Sequence, residues 1–169
     1  MFKYFLVLCA LLISTAAQAV EQPKMIGEYG DWVAWTYNDR GNVICYMSST
    51  PKKDEGKYTK RGDIYTVVTH RPAEKSFDEV SFVAGYAFNT KVPLVVKIGN
   101  QTFKNTFTEG DKGWMRTGDE DKKIVAAMKR GERMIVDGQS SRGTNTKDTY
   151  SLKGFTTAYQ AISAKCKKK

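Results

Sequence analysis

Thr149-Tyr150-Ser151-Leu152-Lys153-Gly154-Phe155-Thr156-Thr157-Ala158-Tyr159-Gln160-Ala161-Ile162 reads as a strand, a one-glycine corner and an amphipathic helix in succession. Thr149, Tyr150 and Leu152 are strand formers, and Gly154 can take the positive φ of a sharp corner. Phe155, Ala158, Tyr159 and Ile162 recur at i, i+3, i+4 and i+7, which makes one apolar stripe. A helix of about ten residues is marginal alone in water, so that stripe has to be buried on a sheet. The expectation is a C-terminal packing element whose Phe155 side covers an open face or edge of that sheet.

Upstream, the chain is a succession of short strands and turns. A Gly30-Asp31 turn leads into Trp32 to Tyr37, and a turn at Asn38 to Asn42 leads into Val43 to Thr50, which completes a hairpin. Cys45 and Met47 share the face of Val43 on its second strand, while Trp32 and Trp35 fall on opposite faces. Pro51 to Gly62 carries five lysine or arginine residues and no apolar period, so it is expected to be the longest exposed loop. Ile64 to Thr69 is a strand and Arg71 to Asp78 a connection; Val80 to Phe88 alternates over a further strand. Val92 to Ile98, a Gly99-Asn100 turn and Thr102 to Phe107 make a second hairpin, and Trp114 to Arg116 a short strand.

The period changes after Asp119. Asp119 and Glu120 suit the start of a helix, Ile124, Ala127 and Met128 form its stripe, and Lys129-Arg130-Gly131 ends it. Arg133 to Gly138 and Lys147 to Leu152 are the last strands, joined by the hydroxyl-rich loop Gln139 to Asn145. The fold class is therefore mainly β, an antiparallel sandwich or barrel with two short helices. A βαβ fold is excluded by the lack of long alternating helices.

Met1 to Ala19 has the form of a secretory signal peptide: Lys3, the apolar run Phe5 to Ile13, and Ala17-Gln18-Ala19 as a small-x-small cleavage site. The run is short of the roughly 20 apolar residues that span a bilayer. Val20 to Lys169 is read as a single domain. Losing Lys3 leaves 26 basic against 18 acidic side chains, a formal charge of +8. Such a balance favours anionic lipid or polysaccharide as weak partners, and export leaves nucleic acid out of reach. Cys45 and Cys166 are the two cysteines of the exported chain, and an oxidising compartment lets them pair; the alternative is two free thiols, one buried and one in a frayed tail.

The residues carry little familiar chemistry. The single histidine, His70, closes a strand before Arg71-Pro72 and is read as a surface residue rather than a catalytic base. His70, Cys45 and Cys166 lack metal-ligand spacing, so no metal, cofactor or catalytic residue is assigned. Asp111, Asp119, Glu120 and Asp121 are assigned to turn and helix-start duty rather than to an acidic pair. Arg61-Gly62-Asp63 matches a cell-adhesion tripeptide, yet a Gly-Asp turn before Ile64 accounts for it. Ser140, Ser141, Arg142 and Thr144 can hold an anion through hydroxyls, backbone amides and a guanidinium, or form a solvated hairpin loop. Lys165, Lys167, Lys168 and Lys169 make a basic tail, expected to be solvated and free of core contacts.

The order Gly30-Asp31-Trp32, Cys45-Tyr46-Met47, Ala127-Met128-Lys129-Arg130-Gly131 and Ser151-Leu152-Lys153-Gly154-Phe155 resembles the invasion-associated locus B family over Tyr29 to Ile162. The resemblance implies an immunoglobulin-like β-sandwich exported by a Gram-negative bacterium to the periplasm or outer envelope, some members being associated with host-cell invasion. It brings no catalytic residues, so it implies a non-enzymatic binding or envelope-interaction role with an envelope or host-surface partner. The alternative is an exported enzyme with an unrecognised site. Members of that family often pair the cysteine at the position of Cys45 with one a few residues after the first tryptophan, and carry a further close pair near Trp114. Here Thr36 and Trp114 stand at those places, which leaves Cys166 as the candidate partner of Cys45. Cleavage is expected after Ala19, and mass spectrometry of the exported protein would refute it by finding Met1 retained.

Overall fold

Alternation and turn chemistry resolve into twelve strands among residues 21–168, which a computed structural model describes; the segment read above as a signal peptide lies outside them. The larger sheet contains β1 (Lys24–Tyr29), β2 (Trp32–Asp39), β3 (Asn42–Ser49), β5 (Tyr65–Arg71), β6 (Ser76–Val83), β9 (Thr106–Glu109) and β10 (Lys112–Met115). Its order is β1-β2-β3-β5-β6-β10-β9. The smaller sheet, β4-β12-β11-β7-β8, is built from β4 (Lys53–Gly56), β7 (Val95–Ile98), β8 (Gln101–Phe103), β11 (Arg133–Gln139) and β12 (Asn145–Ser151). Every paired neighbour is antiparallel. The sheets share one core: Phe82 and Ala84 from the larger side meet Val136 and Tyr150 from the smaller around a small void. The architecture is an antiparallel β-sandwich with two helices, as expected.

Several boundaries differ from the sequence expectation. Pro51 to Gly62 is not loop throughout, because β4 pairs with β12 along Lys53 to Gly56. The strand expected over Val80 to Phe88 stops at Val83, where Gly85 turns to a φ of +68° and its amide neighbour Gly62 donates to the Gly85 carbonyl at 2.9 Å. The connection expected at Arg71 to Asp78 is instead the tight end of the β5–β6 hairpin.

Helix α1 (Gly118–Arg130) starts on Thr117, whose hydroxyl accepts from the Glu120 amide at 3.3 Å, and buries Ile124, Val125, Ala127 and Met128 against β6 and β10. Helix α2 (Phe155–Lys165) buries Phe155, Ala158, Tyr159 and Ile162 on β1, β2 and β3. The corner ahead of α2 interlocks with the β1–β2 turn, 120 or so residues away. Asp31 donates its amide to the Lys153 carbonyl at 3.0 Å, and Trp32 donates its indole N–H to the Ser151 carbonyl at 3.0 Å. Phe155 then meets Trp32 edge to face, ring centres 4.9 Å apart. Two glycines permit this approach: a Cβ on Gly154 would sit 1.8 Å from the Tyr29 carbonyl oxygen, and one on Gly30 would sit 2.7 Å from that of Lys153. At the far end of α2, Cys166 is disulfide-bonded to Cys45, with Cα atoms 6.0 Å apart.

Two sequence expectations are overturned beneath α2. His70 is not a surface residue but fully buried, because β5 continues to Arg71 and places it inward beside Cys45. Lys168 is not part of a free tail: its ammonium group pairs with Asp78 and reaches the Tyr159 hydroxyl. The β5–β6 ladder skips a residue between Thr69 and Arg71, and Asp78 takes a φ of +67°; both His70 and Asp78 are buried there. The Asp78 amide donates to His70 Nδ1 at 3.2 Å, and Tyr159 donates its hydroxyl to Asp78 Oδ1 at 2.6 Å. Lys129 lies 3.6 Å from the Tyr159 ring centre. On α1, buried Asp121 accepts the Val80 amide at 3.0 Å.

Burial lowers the His70 pKa to about 4, against the pull of Asp78, and the Lys168 charge adds to the fall. Burial raises Asp121 to about 6, with Glu79 and Asp78 adding to it and the Val80 amide opposing. The two act in opposite directions on stability. His70 has a depressed folded value, so its contribution is present above its ordinary value and is lost as pH falls toward about 4. Asp121 has a raised folded value, so its contribution is present below the ordinary carboxylate range and is lost as pH rises through about 6. Between those values the two largely cancel.

Gly154→Ala is expected to cost more than about 3 kcal/mol or to abolish folding, since backbone blocks the new methyl group. Gly41→Ala, also at positive φ but with open space around it, should cost only about 1–2 kcal/mol. Denaturant titration showing equal losses would refute the interlock. A second pair of variants tests the pH balance. Relative to the parent protein, Asp121→Asn should lose stability on acidification from about pH 6 to 4, whereas His70→Gln should gain it. Parallel pH profiles for all three proteins would show that neither group is shifted.

Candidate functional site

The two loops singled out for charge and hydroxyls come together. The segment between β4 and β5 and the turn between β11 and β12 form the walls of one cleft of ≈ 570 Å³, which Gly85 to Ala87 completes. All four residues expected to contact an anion, Ser140, Ser141, Arg142 and Thr144, line it. Lys57, Lys60 and Arg61 face them from the other loop, which the sequence offered only as a basic surface segment. Among the described residues no carboxylate lines the cleft.

The turn itself is closed on its own backbone. The Ser140 amide donates to the Thr144 carbonyl at 2.9 Å, Gly143 donates to the Ser140 carbonyl at 2.8 Å, and Ser141 donates to Ala87 at 2.7 Å. The Thr144 amide donates to the Ser140 hydroxyl at 3.1 Å, and Ser140 is buried. These four amides are therefore spent inside the turn, which leaves the Arg142 amide as the backbone donor of the turn without a partner among the described residues. Ser140 shapes the turn. With the Arg142 amide, the groups left to meet a ligand are the side chains of Ser141, Arg142 and Thr144, of which the first two are exposed.

Arg61 is the fixed floor beneath them. Its guanidinium grips Asp148 with both ends, at 2.6 and 2.5 Å, donates to the Ala84 carbonyl at 2.6 Å, and lies over the Tyr86 ring at 5.0 Å. Both members of the pair are almost wholly withdrawn from water, at 3% and 5% side-chain exposure. Burial opposes the charge on Arg61, and Asp148 more than offsets it, so the guanidinium stays charged. Tyr86 is in turn fixed by a 2.6 Å hydrogen bond to the Thr146 hydroxyl. An arginine so held is not displayed to a receptor, which removes the adhesion-tripeptide reading of Arg61-Gly62-Asp63.

Lys57, Lys60 and Arg142 differ from Arg61: they are exposed and make no ion pair with any described residue. They set the sign of the cleft. The acidic candidates are elsewhere. Asp119 and Glu120 pair with Lys122 and Lys123 on the surface of α1, Asp121 is buried under it, and Asp111 sits in a strand turn.

His70 also finds a serine, which no sequence signal brought to it. Its Nε2 lies 3.1 Å from the Ser163 hydroxyl on α2. Because Nδ1 accepts the Asp78 amide, the ring proton resides on Nε2, so His70 donates to Ser163 and cannot take its proton. Among the described residues no group of three or more His, Cys, Asp or Glu side chains is placed to hold a metal.

A protein-family model described as invasion associated locus B (IalB) protein matches residues 32–163. No curated protein matches the chain. Among solved structures the fold is similar to the crystal structure of invasion associated protein b from Bartonella henselae, with 15% identity and a TM-score of 0.59 over 83% of this chain and 96% of that one. The family match extends from Trp32 through Ser163, well over half of the sequence. The chain belongs to the invasion associated locus B protein family.

Proposed function

We propose that this is an exported, non-catalytic protein of the periplasm or outer envelope that binds an anionic group of an envelope or host-surface partner in the basic cleft. The observation that carries this reading is the set of three cations, Lys57, Lys60 and Arg142, that make no ion pair and line a recess with no carboxylate among the described residues. Export is supported by the leader-like Met1 to Ala19 and by the Cys45–Cys166 disulfide, a bond that persists in oxidising compartments. The best candidates for an enzyme reading, His70 and Ser163, have the proton on the wrong nitrogen for nucleophile activation.

The test is co-sedimentation of the exported chain with phosphatidylglycerol vesicles, with phosphatidylcholine vesicles as the control. Association is expected with the anionic vesicles alone, fading as salt rises, because exposed charges are screened beyond about 8 Å at physiological ionic strength. A Lys57→Ala, Lys60→Ala, Arg142→Ala triple variant should lose most of it, since each cation near the surface contributes roughly 1 kcal/mol. Lys165→Ala with Lys167→Ala should leave most of it. The opposite ranking would move the binding face from the cleft to the end of α2.

A further inference from the structure

Resting on the reading of the cleft as an anion site, we infer that its ligand is a phosphorylated sugar ring, free or as the headgroup of a lipid. Size is the first argument. A space of ≈ 570 Å³ falls in the range of about 300–1,000 Å³ used for small organic ligands, and a bare phosphate would leave most of it to water. Charge is the second. Lys57, Lys60 and Arg142 together are matched by a phosphate monoester, which carries about −1.5 to −2 charges and three acceptor oxygens, better than by a single carboxylate. Arg142 offers the planar fork that pairs with two phosphate oxygens at once, and the lysines add point charges.

The third argument separates a sugar from a plain anionic surface. Thr59, Ser141 and Thr144 also line the cleft, and none of their hydroxyl groups is hydrogen-bonded to another described residue. Paired hydroxyls of a pyranose ring supply donors and acceptors that replace the water around such groups. The fourth is rigidity. Arg61 is pinned to Asp148 and to the Ala84 carbonyl, and the Gly62–Gly85 contact closes the wall beside it. A Cβ on Gly85 would lie 2.5 Å from the Gly62 carbonyl oxygen, so the approach of these two segments is fixed. A preorganised floor lowers the ordering cost of binding a ligand of defined shape.

The experiment is calorimetric titration of the exported chain with glucose 6-phosphate, glucose and inorganic phosphate. Glucose 6-phosphate is expected to bind at least about tenfold more tightly than either of the others, equivalent to about 1.4 kcal/mol. Ser141→Ala with Thr144→Ala should weaken glucose 6-phosphate severalfold and leave inorganic phosphate unchanged, while Arg142→Ala should weaken both. Vesicles bearing phosphatidylinositol 4-phosphate, whose cyclitol headgroup carries the same phosphate monoester on a six-membered ring of neighbouring hydroxyls, form the second arm: tighter binding there than to the soluble sugar phosphate assigns the ligand to a lipid headgroup, and weaker binding assigns it to a free sugar. Inorganic phosphate binding as tightly as glucose 6-phosphate would overturn the sugar assignment. Failure of every soluble probe and of the inositol lipid, with phosphatidylglycerol binding intact, would overturn it while leaving the broader anionic reading standing. Loss of phosphatidylglycerol binding as well would remove both.

Discussion

The carbonyl of Lys153 ties the two ends of the fold together. It accepts the Asp31 amide across a sequence gap of more than a hundred residues, and it can do so only because Gly30 and Gly154 bring backbone against backbone without side chains between them. Everything at the C-terminus follows from that contact. It fixes where α2 begins, so Phe155 lands under Trp32 and the stripe through Ile162 lies across β1 to β3. A helix docked at that angle delivers Cys166 to Cys45 and Lys168 to Asp78. The disulfide then closes a loop with a sequence separation of 121, for which the chain-entropy contribution is on the order of 4–5 kcal/mol.

The same geometry explains what was legible in the sequence. The α2 stripe, the Gly99-Asn100 turn and the α1 start and stop signals are local, and the structure has all three close to where the residues put them, although the strand expected over Thr102 to Phe107 divides into β8, ending at Phe103, and β9 in the larger sheet. Strand β4 was not legible, because Lys53 to Gly56 is a charged edge strand whose pairing with β12 depends on the partner and not on its own alternation. The end of β6 at Val83 goes with the bond from Gly62 to the Gly85 carbonyl, between segments that the sequence keeps well apart. His70 was misplaced even though a signal existed: Thr66, Val68 and His70 share one parity, and the first two are strand-core types. Lys168 had no such signal, since its partner Asp78 is turned inward by a bulge that only tertiary structure reveals.

The candidate site was half legible for the same reason. Ser140, Ser141, Arg142 and Thr144 were visible as a hydroxyl-rich turn, and Lys57 and Lys60 as part of a basic stretch, but their meeting is a property of the sheet that holds both loops. The motifs that carry the family resemblance do something else. Gly30-Asp31-Trp32 and Ser151 to Phe155 are the two halves of the interlock, and Cys45 anchors the disulfide. They specify the scaffold, and none of them lines the cleft. Family membership therefore carries the sandwich over to this chain, while the groups proposed to bind an anion stand on loops outside those motifs.

Two ion pairs with buried carboxylates show why cations free to meet an anion have to be exposed ones. Leaving a buried charge without its partner costs several kcal/mol, so Arg61 is tolerable in the interior only with Asp148 beside it, and Asp78 only with Lys168 and the Tyr159 hydroxyl. Each pair has its charge cancelled at source and contributes shape rather than field. Lys57, Lys60 and Arg142 sit in water, where an unpaired ammonium or guanidinium costs little, and their field reaches into a recess whose floor has already been neutralised. The proposed anion would thus meet three cations that pair with no described residue, instead of displacing an existing partner. Had Asp148 been absent, Arg61 could not have remained in the floor, and the cleft would have lost its shape before it gained a charge.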